Sequence, residues 1–355
     1  MKKKGKIIAM IVILVLISIL LIVLPPSLGR LPKIEGENSL SERTTLNVDG
    51  CDLSLMLISK DISNPVLIVC GGGPGIPQYL VEYMYPSALS EEFTVCYWDY
   101  RGTGASYSHD TDPQDMTPER FIADTVAVTD YLASRFSQDK IFIMGHSFGT
   151  YVAINTVSLY PEKYCAYIAM SQITDQVRSE TIAYDYMREQ YSLQGDNKMV
   201  EKFDQYDITT SEGFASYRSS MVRDNGMHGL GIGTTRDMDN VITDIFFPSL
   251  RCTTYTMGER IDIWRGKKLS GEFPVHGDTA DFNAFEDIPS LEIPVFFVVG
   301  RYDYTCYWGL QEEYYEAIEA PIKELYMFEE SAHSPLYEEY DRGREVLIDI
   351  KDIVL

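Results

Sequence analysis

The apolar residues of this chain fall mainly into short, continuous runs that are separated by longer stretches of mixed polarity. Continuous apolar runs are typical of strands buried on both faces of a parallel sheet, whereas the stretches between them have helical periodicity. The apolar runs cover residues 65–70, 93–98, 140–144, 164–169, 293–300 and 324–328. Because strands and helices alternate, the pattern predicts an α/β fold with a mostly parallel central sheet flanked by helices.

Two parts of the chain depart from this alternation. Near the start, Asp49-Gly50 lies between two strand-like segments and predicts an antiparallel hairpin. Residues 175–288 are rich in tyrosine, methionine and acidic residues and show helical patterns without strand-like runs. Since the alternation resumes afterwards, we interpret them as a helical cap inserted into one core domain, whose two parts are residues 44–174 and 289–355.

The first residues have a different composition from the rest. Residues 1–6 contain lysines, and residues 7–24 are uncharged and strongly apolar. As a helix this segment would span about 27 Å, close to the hydrocarbon core of a bilayer, and the lysines favour a cytoplasmic N-terminus. A cleaved signal peptide is the alternative, although no small-x-small cleavage pattern follows. We predict a cytoplasmic tail (1–6), a transmembrane signal anchor (7–24) in contact with the lipid bilayer, a linker (25–43) and a catalytic domain outside the cytoplasm.

Charge and cysteine spacing argue against several kinds of ligand. The formal net charge is −23, so nucleic acid is not expected as a partner, and the acidity is most simply a contribution to solubility. The six cysteines are widely spaced without a Cys-x-x-Cys or a pair of nearby histidines, so we expect no metal site. The even number of cysteines would permit disulfides in an exported protein, but Cys70, Cys96 and Cys165 fall within apolar strand-like runs, so the sequence assigns no bridge and leaves both disulfide status and oligomeric state open.

Gly145-His146-Ser147-Phe148-Gly149 lies between a predicted strand and a predicted helix. This order is typical of a nucleophile elbow, in which a sharp turn exposes a serine at the edge of the sheet. The helix after the turn would direct the Phe148 N–H towards negative charge that develops on a substrate oxygen. A Gly-x-Ser-x-Gly sequence also occurs by chance as a plain turn with a capping serine. Ser147 is therefore a candidate nucleophile that needs partners.

A serine hydroxyl needs a base within hydrogen-bond reach to act as a nucleophile. Asp303 follows the strand at 293–300, and His333 follows the strand at 324–328. Both would lie on loops at the carboxyl ends of parallel strands, next to the predicted elbow. A single loop histidine is usually only solvated, but position and chain order together favour a Ser147, Asp303, His333 triad.

The glycine-rich stretch 71–75 follows the strand at 65–70. Glycines permit close approach of the backbone, so Gly72 and Gly73 are candidates for the second N–H donor of an oxyanion hole, beside Phe148. A merely flexible turn is the alternative. A phosphate-binding loop is disfavoured because no Lys-Ser/Thr pair follows.

Together these motifs resemble the proline iminopeptidase branch of the α/β-hydrolase superfamily. The likeness lies in Gly72-Gly73-Pro74-Gly75, Asp99-x-Arg101-Gly102-x-Gly104-x-Ser106, Gly145-His146-Ser147-Phe148-Gly149, Gly300-Arg301-x-Asp303 and His333. The resemblance implies an α/β-hydrolase fold with a helical cap, and hydrolysis of an amide or ester without a cofactor. By residue, it implies a nucleophile at Ser147, a base at His333, an acid at Asp303 and oxyanion donors at Gly73 and Phe148.

The sequence departs from this family at two positions. Gly71 replaces the usual histidine before the glycine-rich loop, and Tyr100 replaces the usual glutamine. In the family, cap glutamates hold the free α-amine of the substrate, which makes Glu180, Asp185 and Glu189 candidates for that role here. An ordinary solvated helix face explains each of the three equally well.

These observations predict a membrane-anchored, extracytoplasmic serine hydrolase, with aminopeptidase activity on short peptides or another small molecule as substrate. A carboxylesterase or lipase-like enzyme would use the same residues. A binding protein on a hydrolase fold is a third reading, but the complete triad order argues against it.

Overall fold

The structure, a computed structural model, describes residues 10, 11, 13 and 24–355. Its centre is one sheet built from β1 (Leu40–Val48), β2 (Cys51–Ser59), β3 (Val66–Cys70), β4 (Thr94–Trp98), β5 (Ile141–His146), β6 (Tyr164–Met170), β7 (Val295–Gly300) and β8 (Lys323–Phe328). Across the described residues the order is β1-β2-β4-β3-β5-β6-β7-β8, with β2 antiparallel to both neighbours and all other neighbours parallel. The predicted α/β fold is confirmed.

The central strands are buried on both faces, which explains their continuous apolar runs. Every residue of β3, β4, β5 and β7 is buried. Val66 and Ile68 belong to the hydrophobic cluster on one face, whereas Leu67 and Val69 belong to the cluster on the other. This is the alternation that a pleated strand imposes. The sheet therefore holds the loops at its strand ends on a rigid base.

The hairpin predicted at Asp49-Gly50 joins β1 to β2. Val48 pairs directly with Cys51, so the turn has two residues, with φ of 47° at Asp49 and 78° at Gly50. Positive φ at both turn positions is the geometry that suits a tight hairpin. β1 begins at Leu40, earlier than the core boundary at residue 44 that the sequence predicted.

Helices cover both faces of the sheet. They are α1 (Gln78–Met84), α2 (Leu89–Glu92), α3 (Pro118–Phe136) and α4 (Phe148–Leu159) before the predicted cap, and α13 (Trp308–Ala317), α14 (Pro335–Glu338) and α15 (Tyr340–Val354) after it. The predicted cap contains α5 (Gln176–Leu193), α6 (Asn197–Phe203), α7 (Ser211–Arg218), α8 (Met221–Gly229), α9 (Phe247–Arg251), α10 (Met257–Ser270), α11 (Val275–Asp281) and α12 (Ala284–Asp287). Tyr184, Met187, Phe203 and Tyr217 form a separate hydrophobic cluster within it. Several tyrosines and methionines of this region are therefore core residues.

Most of the predicted signal anchor at residues 7–24 lies outside the described residues. In the part of the chain that the structure does describe, no helix has both the length and the apolar character needed to cross a bilayer. The predicted linker has no helix or strand from residue 25 to residue 39, yet it is attached to the body. Arg260 Nη1 donates to the carbonyl oxygen of Pro25 at 2.7 Å, and Ile34 packs against the hydrophobic core.

Candidate active site

Ser147 lies on a sharp turn between β5 and α4. Its backbone has φ 54° and ψ −123°, a conformation that a residue with a side chain adopts at a cost of about 1–3 kcal/mol. The Ser147 N–H donates to the Met170 carbonyl oxygen at 3.2 Å. A Cβ at Gly149 would lie 1.9 Å from the Cys70 carbonyl oxygen, so only glycine lets the helix pass this close to β3. The turn geometry is that of the predicted elbow.

His333 and Asp303 form a buried pair. His333 Nδ1 is 3.0 Å from both carboxylate oxygens of Asp303, which is completely buried. The carboxylate also accepts from the N–H groups of Thr305 at 3.0 Å and Cys306 at 2.9 Å, and from Gln311 Nε2 at 3.2 Å. These contacts fix the Asp303 side chain. A donor at Nδ1 leaves Nε2 of a neutral imidazole free to accept a proton.

Contacts of the His333 backbone place it next to the elbow. Its carbonyl oxygen accepts from Ser171 Oγ and from His146 Nε2, both at 2.9 Å. The rings of His146 and His333 lie 5.2 Å apart. Among the described residues, Ser147 Oγ and His333 Nε2 form no direct hydrogen bond. Catalytic hydrogen bonds are often longer in a free enzyme and shorten when substrate binds.

His146 connects three parts of this site. Burial, followed by the nearby His333, lowers the pKa of His146 to about 3, so the ring is neutral. Since Nε2 faces a carbonyl oxygen it must carry the hydrogen, and Nδ1 therefore accepts from Gln78 Nε2 at 3.1 Å. The Gln78 Oε1 atom accepts the Gly72 N–H at 3.1 Å. His146 thereby links the His333 loop to the glycine-rich loop.

The three candidates for the oxyanion hole differ in position. Phe148 and Gly73 line the same cavity as Ser147. The Gly72 N–H is already bonded to Gln78, so it is not available as the predicted donor. Gly72 instead allows the glycine-rich loop to pass close to the nucleophile, since a Cβ at this position would lie 3.3 Å from the Ser147 Cβ. The sequence could not separate Gly72 from Gly73, because the distinction depends on a side chain from α1.

The two departures from the family pattern contact each other. The Tyr100 hydroxyl donates to the Gly71 carbonyl oxygen at 3.0 Å. The Tyr100 ring also packs edge-on against Phe148, with centroids 6.1 Å apart. Tyr100 thus contacts both the glycine-rich loop and the first residue after the nucleophile.

A cavity of about 740 Å³ lies above Ser147, between the core and the predicted cap. Its charged lining consists of Glu180, Arg218, Arg223, Asp224 and Lys267. The part of the chain that the structure describes contains no cluster of three His, Cys, Asp or Glu side chains suited to a metal ion. The cavity has the size of a site for a small molecule or short peptide.

Of the three acidic candidates for amine binding, only Glu180 reaches this cavity. Asp185 and Glu189 are exposed to solvent and do not line it, so the structure does not bring them together with Ser147. On a helix, five and nine residues correspond to rotations of about 140° and 180° from Glu180, which places both on the opposite face of α5. They belong to the ordinary solvated face that the sequence left open.

Glu180 is buried, but its carboxylate is already paired. Arg223 donates to it from Nε at 2.8 Å and from Nη2 at 2.5 Å, and Gln176 Nε2 donates at 3.2 Å. Burial by itself would lower the pKa of Arg223, but the charge and hydrogen bonds of the Glu180 carboxylate outweigh this effect and raise the pKa above its ordinary value. The guanidinium therefore stays charged. Sequence reasoning missed Arg223 because the two partners are on different helices.

Ser147 thus occupies the elbow position of an α/β-hydrolase fold. Residues 82–183, which include Ser147, match the family described as "Serine aminopeptidase, S33". The chain resembles the proline iminopeptidase branch of the superfamily, and it is a serine-type hydrolase.

Individual relatives point in the same direction. The probable aminopeptidase YbaC of Bacillus subtilis is 29% identical over 310 residues, covering 86% of this chain and 95% of the relative. The proline iminopeptidase of Saccharolobus solfataricus is 24% identical over 301 residues, covering 82% and 86%. The crystal structure of proline iminopeptidase from Mycobacterium smegmatis superposes with a TM-score of 0.61 at 16% identity, covering 88% and 97% of the two chains. The structural likeness supports the fold.

Proposed function

We propose that this chain hydrolyses amide or ester bonds of short peptides or other small molecules through an acyl-enzyme at Ser147. The observation that carries the proposal is the buried His333–Asp303 pair, held against a strained serine elbow at the mouth of one cavity. A nucleophile, a base and an orienting carboxylate in this arrangement are what acyl transfer needs.

The proposed reaction follows from the geometry. Ser147 Oγ attacks the scissile carbonyl carbon while its proton passes to His333 Nε2, and Asp303 stabilises the resulting imidazolium. The oxygen that becomes negative accepts from the N–H groups of Phe148 and Gly73. His333 then protonates the leaving amine or alcohol as the bond to it breaks. Water hydrolyses the acyl-enzyme by the same steps in reverse order.

Aminopeptidase activity is the finer part of this proposal. It is supported by the relatives named as aminopeptidases and proline iminopeptidases. A carboxylesterase is the second candidate, and a specific observation favours it. Glu180, the acidic candidate that reaches the cavity, is paired with Arg223 and so is less available to hold a free amine. Rates on aminoacyl amides and on acyl esters separate the two activities.

The catalytic assignment is tested by labelling the full-length protein with a fluorophosphonate probe. We expect one labelled peptide, containing Ser147, and loss of labelling in His333→Ala, because the serine then lacks its base. The matched control is His109→Ala, since His109 lies outside the cavity of Ser147. Labelling of another serine, or no labelling of the folded wild type, would contradict the proposal.

We also propose that residues 7–24 anchor the enzyme in a membrane with its catalytic domain outside the cytoplasm. The support is the length and polarity of this segment and the lysines before it. In bacterial cells, a C-terminal tag should sediment with membranes and be digested by protease added to spheroplasts. Deletion of residues 7–24 should abolish both results. A tag that resists the protease would show that the catalytic domain faces the cytoplasm. A mature chain that begins after residue 24 and does not sediment with membranes would indicate a cleaved signal peptide.

A further inference from the structure

The charges around the cavity of Ser147 are unusual for this protein. Three basic side chains line it, Arg218 on α7, Arg223 on α8 and Lys267 on α10, against the two acidic side chains Glu180 and Asp224. The whole chain carries 53 acidic and only 30 basic residues, with a formal net charge of −23. The cavity lining therefore has more basic than acidic side chains, whereas the chain as a whole has more acidic than basic residues.

One of the three cations is fully engaged within the protein. Arg223 donates two hydrogen bonds to Glu180, and its Nη1 donates to Asp224 at 3.1 Å. The Arg223 side chain is 13% exposed and that of Glu180 only 1%, so this pair is largely removed from water. The Arg223 guanidinium therefore neutralises the negative charge of Glu180 and part of that of Asp224.

Arg218 and Lys267 are in a different situation. Within residues 24–355, neither side chain has a hydrogen-bond acceptor or an ion-pair partner in the protein. Arg218 is half-buried, and desolvation lowers its pKa from the ordinary value, although a guanidinium remains charged at neutral pH. Removing the Arg218 cation from water without a partner costs free energy, and an anion bound beside it offsets that cost.

Lys267 is exposed to solvent and lies beside the glycine-rich loop. Its methylene chain lies against Gly75, where a Cβ would come within 2.7 Å of Lys267 Cδ. Gly75 belongs to the glycine-rich loop that includes Gly73. His276 and Cys306 also line the cavity. Burial lowers the pKa of His276 and raises the pKa of the Cys306 thiol, so neither side chain carries a charge at neutral pH.

We infer that Arg218 and Lys267 bind a carboxylate of the substrate. Guanidinium and ammonium groups are the usual partners of carboxylates, and both project into the cavity that contains Ser147. The substrate class is then an ester, amide or short peptide with a free carboxylate near the scissile bond. This inference rests on the proposed function of Ser147, and it specifies which acyl compounds the site prefers.

The first test compares substrates that differ only in this charge. Mono-p-nitrophenyl glutarate and p-nitrophenyl valerate have acyl chains of equal length, and only the first carries a carboxylate. Alanyl-alanine and alanyl-alanine amide make the same comparison on the leaving-group side. We expect kcat/KM to favour the anionic member of at least one pair by about tenfold or more, the effect of a charge-assisted contact. Equal or greater rates on both neutral members would overturn the inference.

The second test removes the cations one at a time. Arg218→Gln and Lys267→Gln should each reduce the anionic-to-neutral ratio of kcat/KM by about 10- to 100-fold. The matched control is Arg188→Gln, which removes the same charge from an exposed cap residue that pairs with Asp204. It should leave the ratio unchanged. Equal losses on anionic and neutral substrates would point to a structural role and would also overturn the inference.

A binding measurement separates failure of the inference from failure of the proposed catalysis. Glutarate is titrated calorimetrically into the full-length Ser147→Ala protein, with and without Arg218→Gln. Binding that is lost with Arg218→Gln supports the carboxylate site even if no substrate is turned over. A fluorophosphonate-reactive enzyme that binds no glutarate and prefers neutral substrates retains the catalytic proposal and refutes the carboxylate site.

Discussion

Replacement of Ser147 by alanine should lower kcat/KM by about four to six orders of magnitude on any ester or amide that the enzyme turns over. The reason is that the reaction proposed here has no other group to form the acyl-enzyme. Residual hydrolysis would come from Phe148, Gly73 and the bound geometry alone. The measurement is the hydrolysis of a chromogenic ester by purified full-length protein, with a thermal unfolding curve to show that the fold is intact.

Two further variants sharpen this result. Ser192→Ala is the matched control, because Ser192 is exposed on α5 and should leave the rate unchanged. Ser147→Gly should abolish turnover but stabilise the fold by about 1 kcal/mol or more, since glycine adopts the positive φ of this turn without strain. Retention of wild-type turnover in Ser147→Ala would place the nucleophile elsewhere.

Replacement of Gly300 by alanine should destabilise the protein by about 3 kcal/mol, at the upper end of the usual range for inserting a group into a packed site. Gly300 ends β7, and a Cβ there would lie 1.8 Å from the Ala332 carbonyl oxygen and 2.7 Å from that of Ser331. Both obstacles are backbone atoms, so no rotamer change can relieve the overlap. The segment must move, and His333 would move with it.

We therefore expect Gly300→Ala to lose both stability and activity, as measured by urea unfolding and by ester hydrolysis. The matched control is the same substitution at Gly277, which lies in α11 with no atom within 4 Å of the new Cβ. There alanine should raise stability by up to about 1 kcal/mol through helix propensity. A Gly300→Ala protein that unfolds like the wild type would show that the His333 loop is not packed against the end of β7.

Much of the fold could be predicted because its signals are local. A strand that is buried on both faces must be apolar along its whole length, so β3, β5 and β7 are visible in the sequence without knowledge of their neighbours. The Asp49-Gly50 turn is readable for the same reason, since two residues determine its backbone conformation. The order of strands and helices then limits the architecture to few possibilities.

The candidate site was predictable where it lies at strand ends. Ser147, Asp303 and His333 each follow a recognisable strand, and carboxyl ends of parallel strands share one edge of the sheet. The acidic candidates in the cap do not follow strands, so their position in the sequence does not show which way their side chains face. Asp185 and Glu189 have the same residue types and the same helix as Glu180, and only the direction that α5 faces distinguishes them.

The sequence by itself determined the alternation of strands and helices, the class of chemistry and the order of the three reactive side chains. Only the tertiary structure decided that Gly72 donates to Gln78, that Arg223 pairs with Glu180, and that Arg218 and Lys267 face the cavity with no partner among residues 24–355. The physical reason is the distance along the sequence between the residues that interact. Strand, turn and elbow signals act between neighbouring residues, whereas the electrostatics of a cavity depend on side chains from separate helices that packing brings together.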